Sequence, residues 1–333
     1  MSTTRPDESF LDASLRPSGW DDYVGQESIK NNLSILLKAA RERNHPPEHL
    51  LFYGPPGLGK TTLAHLIAKE LGVTIKTAAG PTIEKVGDLA SIITNLSEGD
   101  ILFIDEIHRL NKAVEEVLYP AMEAGSLNII LGKGPGARVI ELALPPFTLV
   151  AATTRIALLS SPLRSRFSGG TFKLDFYTEE ELGKIIARSA QILNIEIAPE
   201  AVKEIAKRSR FTPRIANHLL KRCRDLAQVR KEPVNLETVR EAINMLGIDE
   251  IGLTKSDRAV LEVIIDKFAG GPVGLSTIAT ATHEEEATVE EVYEPYLIQC
   301  GFLERTPRGR VATAAAYFHL GRDLPKDKQG SLL

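Results

Sequence analysis

Short apolar runs alternate with longer helix-like segments over roughly the first half of the chain. Three of these runs end in turn or polar residues and read LLFYGPPG, DILFIDE and FTLVAATT. The segment TTLAHLIAKEL, which follows the first run, has the apolar spacing of a helix. Strands that are apolar along their whole length are typical of a parallel sheet covered by helices on both faces. We therefore predict an α/β domain over residues 14–177.

After this domain the strand-like runs stop and helix start signals take over. Thr178 and Glu181 have the spacing of a capping box. Thr212 precedes a proline that fits the first turn of a helix, and Asn235 precedes a third helical segment. These signals predict a small helical domain over residues 178–253.

The end of the chain has a third pattern. AVLEVIIDKF, LSTIAT and TVEEVYEPYLIQ have the apolar spacing of three short helices, and GFLERT and GRVAT flank a turn as the strands of a hairpin do. Three helices followed by a hairpin predict a winged helix-turn-helix domain over residues 254–333. At the other end, the composition of residues 1–13 predicts a disordered tail.

Composition places the chain among globular proteins. It has 333 residues, 43% of them hydrophobic and 25% charged, which suffices for two or three domains with cores of their own. It has no run of about 20 apolar residues, and its first residues lack the apolar core of a signal peptide. The only cysteines are Cys223 and Cys300. These features predict a cytoplasmic protein. Because the net charge is −4, binding to nucleic acid would need a local basic patch.

The first apolar run leads into a pattern that binds nucleotide phosphates. Residues 54–61 read GPPGLGKT, between a predicted strand and a predicted helix. In such a loop backbone N–H groups turn toward the phosphates, the lysine reaches the β- and γ-phosphates, and the next hydroxyl binds Mg²⁺. The predicted nucleotide-binding residues are Gly57, Leu58, Gly59, Lys60, Thr61 and Thr62, with Thr61 as a metal ligand. The alternative is a glycine-rich turn with a purely structural role.

Polar residues end the second and third apolar runs. Asp105 and Glu106 follow ILFI, at the carboxyl end of what would be a central strand. Asp105 would hold Mg²⁺, mainly through water, and Glu106 would orient and polarise the attacking water. An acidic helix start is the alternative. The third run ends in Thr153 and Thr154, where a polar group would lie near the γ-phosphate or the lytic water.

These motifs have the order and spacing of one family. GPPGLGKT, LFIDEIHRL, a polar strand end and SPLRSRF together resemble an AAA+ ATPase. The resemblance implies that Arg166 is an arginine finger for the nucleotide of a neighbouring subunit, with Arg164 beside it. It implies that Arg214, in the first turn of a lid helix, is a second nucleotide sensor. The residues it implies for the adenine pocket are Leu15, Arg16 and Tyr177.

An arginine finger that acts in trans implies a ring, and the resemblance implies a hexamer. There, the guanidinium of Arg166 would neutralise charge on the transferring phosphoryl group. The alternative for Arg164 and Arg166 is a pair of solvated loop arginines. For Arg214 it is an ordinary surface arginine.

Longer segments narrow the resemblance. RPSGWDDYVGQ, TPRIANHLLKR, FAGGPVGLSTIA and EPYLIQCGFLERTPRGR resemble the RuvB family, the AAA+ motors that drive branch migration of Holliday junctions, from about Leu15 to about Leu320. The last two segments lie outside the ATPase and separate this family from clamp loaders. The resemblance places the first-sensor position at Thr154, where many AAA+ relatives carry asparagine. The turn RFSGGTF is slightly longer than the compact turn expected after the finger.

An insertion before the third run has the pattern of a hairpin. Residues 127–142 read LNIILGKGPGARVIEL, two strand-like halves around a glycine-rich turn. The resemblance implies that this hairpin binds a RuvA-type junction-binding protein, with a RuvC-type resolvase as a further partner. A partner site needs exposed apolar surface, for which we predict Ile129, Ile130 and Val139. The alternative is that these three residues pack on their own domain.

Charge is distributed unequally in the last domain. The glutamates near its third helix are Glu284, Glu285, Glu286, Glu290, Glu291 and Glu294. The predicted hairpin instead carries Arg305, Arg308 and Arg310. Phosphate would repel the helix, so we predict that these three arginines contact the backbone of double-stranded DNA without reading its sequence. A solvated basic hairpin is the alternative.

Together these features predict an ATP-driven DNA translocase that moves four-way junctions in recombination and repair, with ATP and Mg²⁺ at its site. Two other functions stay open at this point. A clamp-loader-like or protein-remodelling AAA+ ATPase would keep the hydrolytic site and change the substrate. A switch-like ATP-binding scaffold would need neither Glu106 nor Arg166.

Overall fold

The computed structural model describes residues 14–131 and 138–325, and only the backbone of residues 129–131, 138 and 139. The predicted tail, residues 1–13, therefore lies outside the described residues. The chain divides into two compact units, residues 1–177 and 178–333. Among the helices of the described ranges, none is both long and apolar enough to cross a membrane.

The first unit is built on a parallel sheet. The strands of this unit are β1 (Leu50–Tyr53), β2 (Ile75–Ala79), β3 (Ile101–Asp105), β4 (Ser126–Leu131), β5 (Arg138–Ala143), β6 (Thr148–Thr153) and β7 (Gly170–Lys173). Five of them pair in the order β2-β3-β6-β1-β7, and every pairing is parallel. The three predicted apolar runs form, in chain order, β1, β3 and β6, which are the three inner strands of the sheet. The edge strands β2 and β7 are half exposed, so they have no continuous apolar run that would mark them in the sequence.

The register of the inner strands brings their carboxyl ends together. Ile104 of β3 lies beside Ala151 of β6, and Thr153 of β6 lies beside Tyr53 of β1. Parallel strands emerge at the same edge of a sheet, which is where ligands bind in open α/β folds. The phosphate-loop pattern, the acidic pair and the threonine pair consequently emerge side by side.

Helices cover both faces of this sheet. They are α1 (Glu27–Glu42), α2 (Lys60–Leu71), α3 (Val86–Thr94), α4 (Lys112–Glu123) and α5 (Ser161–Ser165). All six residues of β6 are buried, as expected for a strand covered on both sides. Gly169, in the RFSGGTF turn, lies so close to the segment before β1 that a Cβ there would be 2.7 Å from the carbonyl oxygen of Glu48. Close backbone approach of this kind is a use for glycine.

The predicted insertion forms a separate antiparallel hairpin. β4 pairs with β5 from Ser126 beside Ala143 to Leu131 beside Arg138. Leu127 is buried in the core of the first unit, whereas Ile140 is 40% exposed. The turn between the strands, residues 132–137, lies outside the described ranges.

The second unit begins with four helices. They are α6 (Glu179–Ile192), α7 (Pro199–Lys207), α8 (Pro213–Arg230) and α9 (Leu236–Met245). The predicted capping box forms: Glu181 N donates to Thr178 Oγ1 at 3.2 Å, and Thr178 N donates to Glu181 Oε2 at 2.8 Å. A bridge between Ile197 and Val234 ties together the loops before α7 and α9.

A winged helix fold completes the second unit. Its elements are α10 (Lys255–Glu262), α11 (Leu275–Thr282), α12 (Glu286–Thr288), α13 (Glu294–Gln299), β8 (Leu303–Thr306), β9 (Gly309–Ala312) and α14 (Ala314–His319). Val273 pairs with Arg310 through two backbone hydrogen bonds and so adds a third partner to the β8–β9 hairpin. Gly309 has φ of 134°, and a Cβ there would be 2.4 Å from the carbonyl oxygen of Val273, so this pairing requires glycine.

The third helix of this fold is continuous but widens in its middle. A wide turn, Val289–Tyr293, separates α12 from α13, and Pro295 lies in the first turn of α13. Proline has no N–H to donate, and its ring clashes with the carbonyl four residues before it, so regular α-helical bonding is interrupted here and a wider turn accommodates the proline. The predicted helix over TVEEVYEPYLIQ is confirmed, since residues 288–299 lie in one helical run. The sequence pattern also missed α14.

Candidate functional site

The phosphate-loop pattern forms a tight turn from β1 into α2. Gly54 and Gly59 have φ of 140° and 99°, in the region that only glycine adopts readily. A Cβ on Gly54 would be 2.8 Å from the carbonyl oxygen of Leu174. Leu58 is fully buried and anchors the loop in the core. The loop thereby places its backbone N–H groups at the start of α2, where the helix dipole favours an anion.

Lys60 is the first residue of α2, and its side chain lies within the loop. Its Nζ donates hydrogen bonds to the carbonyl oxygens of Gly54 at 2.8 Å and Pro55 at 2.9 Å. The residue is only 7% exposed. A buried ammonium held by neutral carbonyl groups suits the binding of a phosphate, because a phosphate oxygen is a stronger acceptor for it.

Two oxygen ligands meet next to this lysine. The hydroxyl of Thr61 lies 3.5 Å from Asp105 Oδ2, and Asp105 Oδ1 accepts from the N–H of Glu106 at 3.0 Å. Mg²⁺ prefers oxygen ligands and usually keeps several waters, so that one carboxylate, one hydroxyl and substrate phosphates suffice to hold it. The donors present here fit that ion. No cluster of three or more potential His, Cys, Asp or Glu ligands occurs within residues 14–131 and 138–325.

Glu106 is held in a defined position. Its Oε2 accepts hydrogen bonds from the N–H and the hydroxyl of Thr154, each at 3.1 Å. Its φ of 48° turns the chain sharply after β3, against Gly80, where a Cβ would be 2.3 Å from the Glu106 carbonyl oxygen. Glu106 therefore points from the end of β3 toward the end of β6, into the space beside the phosphate loop.

His108 and Thr153 complete this polar network. The sequence pattern placed Thr153 only at a polar strand end, and it did not assign His108 to the site. His108 Nδ1 lies 2.8 Å from Thr153 Oγ1 and 3.2 Å from Glu106 Oε2. Both side chains are shielded from solvent, and Thr153 Oγ1 also accepts from the N–H of Arg155 at 3.0 Å. The available signal was their spacing: His108 comes two residues after Glu106, and Thr153 comes directly before Thr154.

The residues predicted for the adenine pocket lie on the other side of the loop. Leu15 and Tyr177 are buried, at 3% exposure each, and the Tyr177 hydroxyl donates to the carbonyl oxygen of Leu58 at 3.2 Å. Tyr23 contacts Tyr177, and burial raises the pKa of Tyr23 well above its ordinary value. Arg16 is exposed. Its charge adds to the effect of burial in lowering the pKa of His65 on α2, which indicates that Arg16 lies near that helix.

The two arginines of SPLRSRF have different surroundings. Arg164 is exposed and donates to Ser161 Oγ at 3.3 Å. Arg166 is 19% exposed and bonds to Pro162 O at 2.7 Å and to Glu123 at 3.2 Å. Its guanidinium also lies 4.3 Å from the centre of the Tyr119 ring, so it is held against its own domain.

Arg214 is exposed in the first turn of α8. Thr212 and Pro213 precede it, as predicted, but Thr212 does not cap the helix through its side chain. Arg214 belongs to the second unit and the nucleotide loop to the first.

The three predicted DNA-binding arginines also differ in their surroundings. Arg310 is 9% exposed, and its Nε donates to Glu294 Oε1 at 2.6 Å. Arg305 is exposed and pairs with Glu290 at 2.6 Å. Arg308 lies exposed at the hairpin turn, and the described part of the chain places no ion-pair partner on it. The glutamates that were expected only to repel DNA thus neutralise two of the arginines.

Three family comparisons cover the chain in sequence. Residues 15–173 match the Holliday junction DNA helicase RuvB P-loop domain, residues 177–249 the RuvB AAA lid domain, and residues 250–321 the RuvB C-terminal winged helix domain. Among solved structures, the RuvB Holliday junction branch migration motor of Thermotoga maritima is 50% identical, with a TM-score of 0.85, over 94% of this chain and 100% of that one. The chain belongs to the RuvB family.

Two substituted forms of the same Thermotoga RuvB agree with this. Each is 51% identical over 93% of this chain and 99% of that one, with TM-scores of 0.86 and 0.87. The predicted RuvB architecture of a P-loop sheet domain, a helical lid and a winged helix domain is thereby confirmed. So are membership of an ATP-hydrolysing, DNA-acting helicase family and the branch-migration class of function. The clamp-loader-like alternative is not favoured.

The hairpin residues predicted to bind a partner of RuvB are only partly described. Ile129 lies beside Ile140, and Ile130 beside Val139, in the β4–β5 register. The side chains of Ile129, Ile130 and Val139 lie outside the described atoms. Their role stays a prediction.

Proposed function

We propose that this chain is the ATP-driven motor that moves Holliday junctions, acting as a ring on double-stranded DNA together with a RuvA-type junction-binding protein. The observation that carries the proposal is the meeting of three strand ends. Lys60 and Thr61, Asp105 and Glu106, and Thr154 lie together at the carboxyl edge of one parallel sheet.

Hydrolysis begins with the placing of ATP. Backbone N–H groups of Gly57 to Thr62 and the ammonium of Lys60 bind the phosphates, while Leu15, Arg16 and Tyr177 line the adenine side. Lys60 exchanges its bonds to the Gly54 and Pro55 carbonyls for bonds to phosphate oxygens. Thr61 and Asp105 hold Mg²⁺, which when bound offsets charge on the phosphate oxygens.

Glu106 orients the attacking water. The water oxygen attacks the γ-phosphorus, the bond from that phosphorus to the bridging oxygen breaks, and ADP leaves with the electron pair. Glu106 accepts a hydrogen bond from the water, so it must turn from its present bonds with Thr154. Until then, the N–H and the hydroxyl of Thr154 hold the Glu106 carboxylate in place. Thr154 thereby acts as the first sensor of the γ-phosphate.

Two arginines complete the site from other parts of the assembly. Arg166 acts on the nucleotide of the neighbouring subunit, with Arg164 beside it, and a hexameric ring supplies such a neighbour. To do so, Arg166 leaves Glu123 and the Tyr119 ring. Arg214 reports the nucleotide state to the lid, which continues in sequence into the winged helix domain.

The wing holds DNA by its phosphates. Arg308 is the arginine most available to DNA, and Arg305 becomes available when it leaves Glu290. Arg310 stabilises the hairpin through its pair with Glu294 and also contacts phosphate. Contacts to phosphate carry no sequence information, as a translocating motor requires. The β4–β5 hairpin binds the RuvA-type protein through Ile129, Ile130 and Val139, and a RuvC-type resolvase acts on the same junction. The cytoplasmic location stays a prediction.

The experiment that tests the proposal is dissociation of a labelled synthetic four-way junction, with ATP and a RuvA-type protein present. Lys60→Ala should abolish both dissociation and ATP hydrolysis. Lys38→Ala, an exposed lysine on α1, is the matched control and should retain both. Vigorous ATP hydrolysis by the unchanged chain, without loss of the junction under any loading condition, would contradict the proposal.

A further inference from the structure

The segment just before α8 adopts a backbone conformation that its residues avoid. Arg210 and Phe211 are consecutive and have φ of 51° and 55°, in the left-handed region. Neither is glycine or asparagine, the residues that enter this region most easily. Such conformations persist only where surrounding contacts hold them. The direction in which α8 starts, two residues later, depends on those contacts.

The winged helix domain supplies these contacts. Arg210 donates both terminal nitrogens to the two oxygens of Asp257, each at 3.0 Å. The Asp257 side chain is fully buried and the Arg210 side chain is 11% exposed. The guanidinium also lies 4.5 Å from the centre of the Tyr296 ring and donates to the carbonyl oxygen of Val292 at 3.2 Å. A single arginine of the lid thus touches the first and third helices of the winged helix domain.

Asp257 serves both domains at once. It is the third residue of α10, and its Oδ2 accepts from Thr254 N at 2.8 Å and from Thr254 Oγ1 at 2.6 Å, as a capping box. The same carboxylate therefore starts the first winged helix and anchors Arg210. Phe211 adds a ring contact with Tyr296, 5.8 Å between centroids, and packs against the winged helix core.

We propose that Arg210 is a positioning residue that couples the winged helix domain to α8, and through α8 to Arg214. A displacement of the wing on DNA pulls on Asp257 and Tyr296, and these pull on Arg210. Because the side chains of Arg210 and Phe211, whose backbones are strained, contact this domain, the pull reorients the start of α8. This inference rests on the proposed function, since it gives the route by which DNA load reaches the nucleotide sensor.

The chemistry of the contact requires arginine. A guanidinium presents two parallel N–H donors to a carboxylate and a flat face to an aromatic ring, whereas an ammonium is a point charge. Arg210→Lys keeps the charge that neutralises buried Asp257 but loses the fork and the stacking. The control is Arg322→Lys, because Arg322 also makes a two-bond contact with a carboxylate, through Nε and Nη2 to Asp266 inside the winged helix domain, each bond 3.0 Å.

The first measurement is ATP hydrolysis by the full chain with and without duplex DNA. Arg210→Lys should leave the DNA-free rate and the DNA affinity within about twofold, while DNA stimulation falls about fivefold or more, the usual range of a coupling between sites. Arg322→Lys should keep the stimulation. Full stimulation in Arg210→Lys would overturn the route to the nucleotide site. A parallel loss of DNA affinity would overturn it too, since the defect would then lie in the wing.

The second measurement needs no DNA and separates this inference from the proposed function. Asp257→Asn keeps a capping oxygen but weakens the hold on Arg210. Amide hydrogen exchange should then accelerate about fivefold or more at Ala216, whose N–H bonds to the Thr212 carbonyl in the first turn of α8. Unchanged exchange at Ala216 would overturn the coupling, whatever DNA does. Accelerated exchange in a chain that DNA does not stimulate would retain the coupling and refute the DNA motor.

Discussion

The nucleotide site and the wing both gather charged side chains, but they satisfy them in different ways. In the nucleotide site Lys60 bonds to neutral carbonyls and Glu106 to the N–H and hydroxyl of Thr154. In the wing Arg305 and Arg310 pair with carboxylates. A ligand displaces a neutral partner more easily than it separates a buried ion pair. Similar residue types predicted for binding therefore differ in availability.

Arg166 lies between these two cases, because it touches both a carboxylate and an aromatic ring of its own domain. Arg166→Ala should lower ATP hydrolysis about 10³-fold, since no guanidinium then offsets charge on the transferring phosphoryl group. Steady-state hydrolysis measures this. Nucleotide binding should be retained, and Arg164→Ala in the same loop should have a smaller effect.

Mixing variants sharpens the assignment of Arg166. Lys60→Ala subunits keep the arginine, and Arg166→Ala subunits keep the phosphate loop, so mixed rings should regain part of the activity that each lacks alone. Mixed assemblies with no recovered hydrolysis would refute a finger that acts between subunits.

Glu106→Gln should lower hydrolysis about 10²-fold or more, because an amide oxygen still accepts from Thr154 but polarises water poorly. ATP affinity, measured by titration, should stay unchanged. Glu98→Gln, at an exposed position before β3, is the control. Equal losses in both variants would point to a general effect of lowering the negative charge instead.

In the wing, Arg310→Gln and Arg308→Gln should separate stability from DNA binding. Loss of Arg310 leaves Glu294, 2% exposed, without its cation, and should lower the free energy of unfolding by about 3 kcal/mol. Arg308→Gln should leave thermal unfolding unchanged and reduce the salt slope of DNA binding by about one. If Arg310→Gln is as stable as the unchanged chain, the ion pairs of the wing do not hold their arginines more firmly than the neutral partners of the nucleotide site hold Lys60 and Glu106.

The smallest effect is expected from Glu290→Gln. It frees Arg305 from an exposed pair worth up to about 1 kcal/mol, so DNA affinity at low salt should rise about two- to fivefold. Fluorescence titration against short duplex DNA measures it. Glu285→Gln removes the same charge from the same acidic segment but leaves the Arg305 pair intact, and should raise affinity less. Equal gains in both would indicate a general charge effect.

Much of the fold follows from local pattern. The buried strands β1, β3 and β6 are continuous apolar runs, and the Thr178 capping box is a four-residue signal. Edge strands and the short helix α14 lack such signals. A half-exposed strand needs no continuous apolar run, and a short helix has too few turns to show the apolar spacing of a helix. The widened turn in the third helix of the winged helix domain was foreseeable from Pro295, whose missing N–H is a local property.

The nucleotide site was largely foreseeable for a related reason. Its chemistry lies at strand ends and a glycine turn, and in a parallel sheet those ends meet whatever the rest of the fold does. The motifs thus specify Lys60, Thr61, Asp105, Glu106 and Thr154. They do not specify that His108 reaches Thr153, because that contact depends on how the turn after β3 folds back.

Contacts between distant charges depended on packing. That Arg310 bonds to Glu294, and Arg210 to Asp257, could not be read from the residues, since each arginine has several acids within comparable chain distance. Only the folded backbone brings one carboxylate within hydrogen-bond distance of each arginine, 2.6 Å for Arg310 and 3.0 Å for Arg210. A buried charge without such a partner would be too costly to keep. Local sequence therefore sets which elements form and where phosphate chemistry lies, whereas tertiary packing selects which charges remain available for a ligand.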